Sequence, residues 1–174
     1  MSTLQQALIK RTTCAIFDAD AILNKHDFSL GKLSNVVELL KKLKSEGIDF
    51  AVVSSKGAEI TEQIEIAGLN EFFTKKNTFH KDRLDLSVVK QYADECGICN
   101  CMIQYGMNKY HMHAAAELGY RPEQCVTVEY NKFATFASYS IGMGTCLFTG
   151  MLIESNRRKK LAIVHSITKA TEAA

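Results

Sequence analysis

Two aspartates directly follow a short hydrophobic run near the start of the chain. Residues 14–23 read Cys-Ala-Ile-Phe-Asp-Ala-Asp-Ala-Ile-Leu, so Asp18 and Asp20 stand two positions apart. If an extended strand includes both, their carboxylates project to the same side of its end. A hard divalent cation with oxygen ligands, usually Mg2+, relieves the repulsion between such like charges. The pair therefore predicts a magnesium site for phosphoryl chemistry, with one carboxylate as nucleophile and the other as general acid/base.

A second hydrophobic run ends in hydroxyl side chains. Residues 49–54 read Asp-Phe-Ala-Val-Val-Ser, and Ser55 follows them. Hydroxyls and backbone N–H groups at the carboxyl end of a strand can hydrogen-bond phosphoryl oxygens without adding negative charge. Because ligands of open α/β sheets bind at the carboxyl ends of the strands, Ser54 and Ser55 are candidate phosphate-binding residues.

Short apolar runs alternate with amphipathic segments along the chain, which predicts an α/β domain with a mainly parallel sheet. The predicted strands are residues 14–17, 49–54, 101–105, 125–129 and 145–149, with a further short extended piece after 69–73. The predicted helices are residues 33–46, 58–67, 86–95, 110–118, 133–140 and 155–169. We expect a Rossmann-like three-layer α/β/α sandwich.

Length and composition indicate an ordinary globular protein. No repeat or linker divides the 174 residues, so we expect residues 1–174 to form a single domain with a real core. A net charge of +2 gives no reason to expect nucleic acid as a partner. The chain lacks an apolar run of about 18 residues or a signal-peptide pattern, so we predict no membrane span and a cytoplasmic location with reduced thiols.

The order of these segments resembles the haloacid dehalogenase-like superfamily, which is dominated by phosphatases and phosphotransferases. The resemblance is carried by the strand before Asp18-x-Asp20, the strand end at Ser54, residues 114–119 (Ala-Ala-Ala-Glu-Leu-Gly) and residues 126–129 (Val-Thr-Val-Glu). It implies Mg2+ as cofactor and Asp18 as a metal-binding nucleophile that forms an aspartyl-phosphate. It also implies that Asp20 protonates the leaving oxygen, later activates water, and binds the metal through its backbone carbonyl.

Two motifs of that superfamily depart from their usual residues. The position of the lysine that stabilises the negative charge of the nucleophile and phosphate falls at or near Tyr105. Lys109 is the candidate to replace that lysine as a phosphate-binding residue. Tyr130 occupies the position of the usual second acid of the metal motif. This leaves Glu129 and Asn131 as further candidate metal ligands. Because carboxylate charge drives much of Mg2+ binding, the loss of one acid predicts weaker binding.

The spacing of the motifs leaves no room for a sizeable cap domain. Only a loop and one predicted helix separate Asp18 from the strand that ends at Ser54. Capless members of the superfamily have open sites and act on macromolecules or use a neighbouring subunit as a lid. We therefore expect a phosphorylated small molecule or macromolecule as substrate, and a homo-oligomer or protein partner that covers the site and excludes water.

Cys96-x-x-Cys99-x-Cys101, followed by His111 and His113, contains residue types that bind zinc or form a redox motif. Against it, Cys101 falls in a predicted strand, and the two histidines lie on different faces of a predicted helix.

Two functions stay open on the sequence alone. The first is a Mg2+-dependent phosphatase that uses Asp18 and Asp20. The alternative is a catalytically weakened member of the superfamily that acts as a binding, regulatory or scaffold subunit, which the residue Tyr130 and the missing lysine favour.

Overall fold

Five parallel strands form a single sheet in the computed structural model, which describes residues 13–23, 30–130 and 132–147. The strands are β1 (Cys14–Asp18), β2 (Asp49–Ser54), β3 (Thr78–His80), β4 (Cys125–Glu129) and β5 (Gly144–Leu147). Their order across the sheet is β3-β2-β1-β4-β5. The predicted α/β, Rossmann-like fold class is confirmed, and the sheet is wholly parallel.

Helices connect the strands in the described ranges. They are α1 (Ala19–Ile22), α2 (Leu30–Ser45), α3 (Glu59–Ile66), α4 (Leu86–Cys96), α5 (Asn108–Leu118) and α6 (Lys132–Ser140). Their ends follow local chemistry, as α4 shows. The Asp85 carboxylate accepts the backbone N–H of Ser87 at 2.8 Å at its start, and Gly97, with φ 68°, adopts the left-handed conformation that ends it.

Hydrophobic cores lie on both faces of the sheet, because the side chains of β1 alternate between them. One core joins Ala15 and Phe17 to Leu40, Leu43, Ile60 and Ile64 of α2 and α3. The other joins Cys14 and Ile16 to Val89, Met112 and Ala115 of α4 and α5. Strands covered in this way are apolar along their whole length, which explains why β1, β2 and β4 are recognisable in the sequence.

The strand order places a topological switch point between β1 and β4. Successive strands after β1 extend the sheet in one direction, whereas β4 and β5 lie on the other side of β1. Ligands of open α/β sheets bind at the carboxyl ends of the strands at such a point. Phe17 pairs with Val128, so the next residues, Asp18 and Glu129, end adjacent strands side by side.

One predicted strand is wrong. The segment 101–105 belongs to a 3-10 helix, Asn100–Gln104, that connects α4 to α5. Ile103 is its one buried residue, and a central strand needs buried side chains on both faces. Conversely, the short extended piece expected after 69–73 is β3, whose three residues are all buried.

Other predictions are only partly covered by the structure. The strand predicted at 145–149 is found as Gly144–Leu147, and the helix predicted at 155–169 lies outside the described residues. None of the described helices is long and apolar enough to cross a membrane. The single-domain assignment and the absence of a cap stay predictions.

Two isoleucines in α3 provide a test of this packing. Ile64 is 2% exposed in the core beside Phe17, whereas Ile66 in the same helix is 74% exposed. We expect Ile64→Ala to lower the free energy of unfolding by about 2–5 kcal/mol, because it leaves a cavity. Ile66→Ala is the matched control and should change it by less than about 0.5 kcal/mol. Urea denaturation measures both, and equal effects of the two changes would contradict the described orientation of α3.

Candidate functional site

Asp18 ends β1 and caps the helix that follows. Its backbone is still extended, with φ −65° and ψ 129°, and its Oδ1 accepts the backbone N–H of Asp20 at 3.0 Å. This is the usual hydrogen bond of an aspartate at a helix N-cap. The residue is only 7% exposed. Asp18 therefore combines a structural role with a buried carboxylate at the switch point of the sheet.

The two aspartates do not project from one strand, so that sequence-based expectation is wrong. The strand ends at Asp18, the helix begins at Ala19, and Asp20 lies in the first turn of α1. The Asp20 side chain is 54% exposed, and its Oδ1 lies 2.8 Å from Nζ of Lys56. The start of a helix rotates successive side chains by a different angle from a strand, which separates the buried Asp18 from the solvent-facing Asp20.

The loop after β2 brings a lysine to the site. Ser54 is buried, and its Oγ accepts the backbone N–H of Lys56 at 3.0 Å. This bond fixes the turn that directs Lys56 toward Asp20, while Ser55 between them is exposed. Lys56 was missed in the sequence analysis. The sequence signal for Lys56 is its position two residues beyond Ser54. This position is at the carboxyl end of a strand that neighbours β1.

A buried polar cluster formed by Glu129, His111 and Ser138 lies next to Asp18. Glu129 and His111 are completely buried, and Glu129 Oε1 accepts the hydroxyl of Ser138 at 2.8 Å. His111 Nδ1 lies 3.2 Å from Ser138 Oγ, and His111 Nε2 lies 3.2 Å from Glu129 Oε1. Glu129 Oε2 and His111 Nε2 are buried without a well-aligned hydrogen bond in the described structure. Unpaired buried groups are costly, which makes this cluster a candidate for function.

The surroundings shift the pKa values of these groups in a consistent pattern. Burial raises the pKa of Asp18 from 3.8 to about 6, and the nearby carboxylates of Glu129 and Asp20 add to the increase. Burial also raises the pKa of Glu129, against the interactions with the hydroxyls of Ser138 and Thr127. Burial lowers the pKa of His111 to about 4, against the attraction of the Asp18 carboxylate. Burial therefore favours the uncharged forms of all three side chains.

Lys109 is not connected to these residues by a described hydrogen bond or ion pair. It lies in the first turn of α5, with Nζ 5.3 Å from the ring centroid of Tyr110. The lysine that contacts an aspartate of the site is Lys56. Tyr130 follows β4 and is 44% exposed, and Asn131 lies outside the described residues. The roles assigned to Lys109 and Asn131 stay predictions.

The cysteines and the histidines of the motif at 96–113 are separate in the structure. His111 belongs to the buried polar cluster, and the buried ring of His113 contacts Phe79 at a centroid distance of 5.6 Å. Cys99 and Cys101 are exposed. In the described ranges, no group of three or more His, Cys, Asp or Glu side chains is arranged to hold a metal ion.

Two carboxylates of the site nevertheless fit a hard cation. Glu129 Oε2 is buried without a well-aligned hydrogen bond, and Glu129 is near enough to raise the pKa of Asp18. Magnesium is commonly held by only one or two carboxylates together with several waters and a substrate phosphate. Asp18 and Glu129 are therefore the described side chains that could hold Mg2+.

Comparisons with known proteins leave the family open. No family model matches the sequence, and no curated protein matches it. Among solved structures, the chain is similar to a Vibrio cholerae protein provisionally named 3-deoxy-D-manno-octulosonate 8-phosphate phosphatase, with 11% identity and a TM-score of 0.49. The match covers 100% of this chain and 93% of that chain. A likeness this distant carries no argument, so the fold class follows from the sheet itself.

The raised pKa of Asp18 predicts that its carboxylate lowers stability. The folded chain holds the proton more tightly than the unfolded chain, so stability decreases as pH rises from about 4 to 6, and the penalty is complete above that range. A shift of about two units corresponds to about 3 kcal/mol. Asp18→Asn removes the charge but keeps an oxygen for the N–H of Asp20. We expect it to raise the free energy of unfolding by about 2–3 kcal/mol at pH 8 in metal-free buffer.

The gain should disappear near pH 3, below the ordinary pKa of the Asp18 carboxyl group, and urea denaturation at the two pH values measures it. Asp20→Asn is the control, because this half-exposed carboxylate forms a surface ion pair whose loss costs at most about 1 kcal/mol. An Asp18→Asn variant that is no more stable than the wild type at pH 8 would contradict the described burial.

Proposed function

We propose that this protein is a Mg2+-dependent phosphatase of the haloacid dehalogenase-like superfamily that acts through an aspartyl-phosphate on Asp18. The observation that supports the proposal most directly is the buried Asp18 carboxylate at the switch point, with Lys56 and Asp20 on one side and Glu129 on the other. Burying acidic groups together is unfavourable for folding alone. Perturbed groups of this kind are concentrated at functional sites.

Lys56 is the proposed phosphate-binding cation, together with Ser54 and Ser55. The side chain of Lys56 is 45% exposed, so its ammonium is accessible to a phosphoryl group as well as to Asp20. In the substrate complex, the Lys56 ammonium leaves the Asp20 carboxylate and binds a phosphoryl oxygen instead. This exchange leaves Asp20 available for proton transfer, and Lys56 supplies the positive charge that the resemblance assigns to the motif lysine.

The reaction follows in two displacements at phosphorus. A carboxylate oxygen of Asp18 attacks the phosphorus, the bond to the leaving oxygen breaks, and Asp20 donates a proton to that oxygen. Asp20 then accepts a proton from a water molecule as the water attacks the phosphorus. The bond from phosphorus to Asp18 breaks, which releases inorganic phosphate and restores both side chains.

Asp18 and Glu129 would hold Mg2+, which would supply positive charge that reduces repulsion between the carboxylates and the phosphate dianion. By the resemblance, the backbone carbonyl of Asp20 is a further ligand, and Asn131 is the candidate for a neutral oxygen ligand in place of the missing second acid. The buried polar cluster keeps Glu129 in place through the hydroxyl of Ser138. The proposed substrate is a phosphorylated small molecule or macromolecule, and the proposed location is the cytoplasm. A second subunit or a protein partner covers the site and excludes water from it.

Hydrolysis of a generic aryl phosphate tests this proposal. We expect the wild type to release phosphate in Mg2+ and Asp18→Asn to lower kcat/KM by about 1,000-fold or more, because the nucleophile is lost. Asp20→Asn should lower it by about 100-fold through the loss of general acid catalysis. Phosphate release in a continuous assay measures both changes. A wild type without turnover at any Mg2+ concentration, indistinguishable from Asp18→Asn, would instead support a binding, regulatory or scaffold subunit.

The two lysines can be separated by matched substitutions. Lys56→Met removes the ammonium but keeps an unbranched apolar stem, and we expect kcat/KM to fall by about 100-fold because phosphoryl charge is no longer stabilised. Lys109→Met is the control and should stay within about twofold of the wild type, since Lys109 lies over Tyr110 instead. Unfolding midpoints check that both variants fold. A larger loss for Lys109→Met than for Lys56→Met would assign the motif-lysine role to Lys109.

A further inference from the structure

Two exposed thiols lie close together in the turn between α4 and α5. Cys99 directly precedes the 3-10 helix Asn100–Gln104, and Cys101 is the second residue of that helix. The backbone N–H of Cys101 donates to Cys99 Sγ at 3.4 Å. Neither residue takes part in the proposed phosphatase site, so this thiol pair needs its own explanation.

The two thiols of the pair differ in acidity because they interact with each other. The pKa of Cys99 is lowered, first by the hydrogen bond with the thiol of Cys101 and then by the backbone N–H of Cys101. The pKa of Cys101 is raised, mainly by the same contact with Cys99. Since the thiolate is the nucleophile and the backbone N–H of Cys101 donates to Cys99 Sγ, we assign Cys99 as the attacking sulfur and its neighbour Cys101 as the resolving sulfur.

The other four cysteines are less suited to react. Cys14 and Cys125 are buried, whereas Cys96 and Cys146 are half-buried. Burial raises the pKa of Cys96, and it raises that of Cys146 to about 11. Among the six cysteines, all of which the structure describes, Cys99 and Cys101 are the two that are exposed. Reaction with a polar, water-borne reagent is therefore expected at this pair first.

We propose that Cys99 and Cys101 form a redox modification site, which a small-molecule disulfide such as glutathione disulfide converts reversibly to an intramolecular disulfide. The Cys99 thiolate attacks one sulfur of the reagent, whose S–S bond breaks to release one thiolate. Cys101 then loses its proton to solvent and attacks the Cys99 sulfur, which releases the second thiolate. Two protein thiols are oxidised to one disulfide, and the reagent is reduced to two thiols.

Mass spectrometry of the full chain in glutathione redox buffers tests the proposal. After acid quenching and alkylation, we expect the wild type to lose two hydrogen atoms, with the linkage mapped to Cys99 and Cys101 and reversed by added reduced glutathione. Cys101→Ser should stop at a stable glutathione adduct on Cys99. Cys99→Ser should acquire an adduct on Cys101 more slowly than Cys99 does in Cys101→Ser, because Cys99 Sγ accepts a backbone N–H that stabilises its thiolate.

Cys96→Ser is the matched control in the same motif, and it should form the disulfide as the wild type does. The residues changed are at the surface or half-buried, and unchanged unfolding midpoints verify the fold of each variant. A wild type that keeps a glutathione adduct without closing the disulfide would overturn the proposal. A disulfide that includes Cys96 would also overturn it. Equal rates of glutathione adduct formation on Cys99 and Cys101 in the single variants would do the same.

Discussion

The parallel pairing of β1 with β4 is the interaction on which the candidate site depends. Phe17 pairs with Val128, and this register places Asp18 beside Glu129 at the ends of the two strands. Side chains alternate along a strand, so a slip of one residue would turn Glu129 away from His111 and Ser138. The apolar residues that hold the register are therefore also those that bring two carboxylates together.

This arrangement combines favourable packing with unfavourable electrostatics. Cores on both faces of the sheet bury the strand residues that precede Asp18 and Glu129. The same burial raises the pKa values of both carboxyl groups, because a charge is less stable away from water. Hydrogen bonds from the N–H of Asp20 and the hydroxyl of Ser138 offset part of that cost. The domain is stable because the favourable packing of its cores outweighs the free-energy cost of burying these two carboxyl groups.

The positive charge of the site comes from an unexpected part of the chain. Family resemblance points to a lysine near residues 105–109, at the start of α5. The structure instead places Lys56, from the loop after β2, at 2.8 Å from Asp20. The carboxyl ends of β1 and β2 are adjacent in the sheet, so a residue just beyond β2 is well placed to reach α1. A lysine at this strand end thus forms the described ion pair with Asp20, and the role of Lys109 stays a prediction.

Local pattern in the sequence was sufficient for much of the fold. The strands at residues 49–54 and 125–129 were predicted with their observed bounds, because a buried parallel strand is a continuous apolar run. The position of Asp18 at a strand end followed from the same pattern. The run at 101–105 was misassigned because a short apolar segment does not by itself distinguish a strand from a helix.

Contacts between distant segments were decided only by the tertiary structure. The pairs Asp20 with Lys56 and His111 with Ser138 are 36 and 27 residues apart, and Glu129 meets Asp18 because β4 inserts beside β1. The sequence alone determined which residues end strands and which faces of helices are apolar, because these depend on neighbours along the chain. Strand order and helix placement determined which polar groups meet. Burial of the two cores favours one packing of the strands and helices, and this packing brings their ends together.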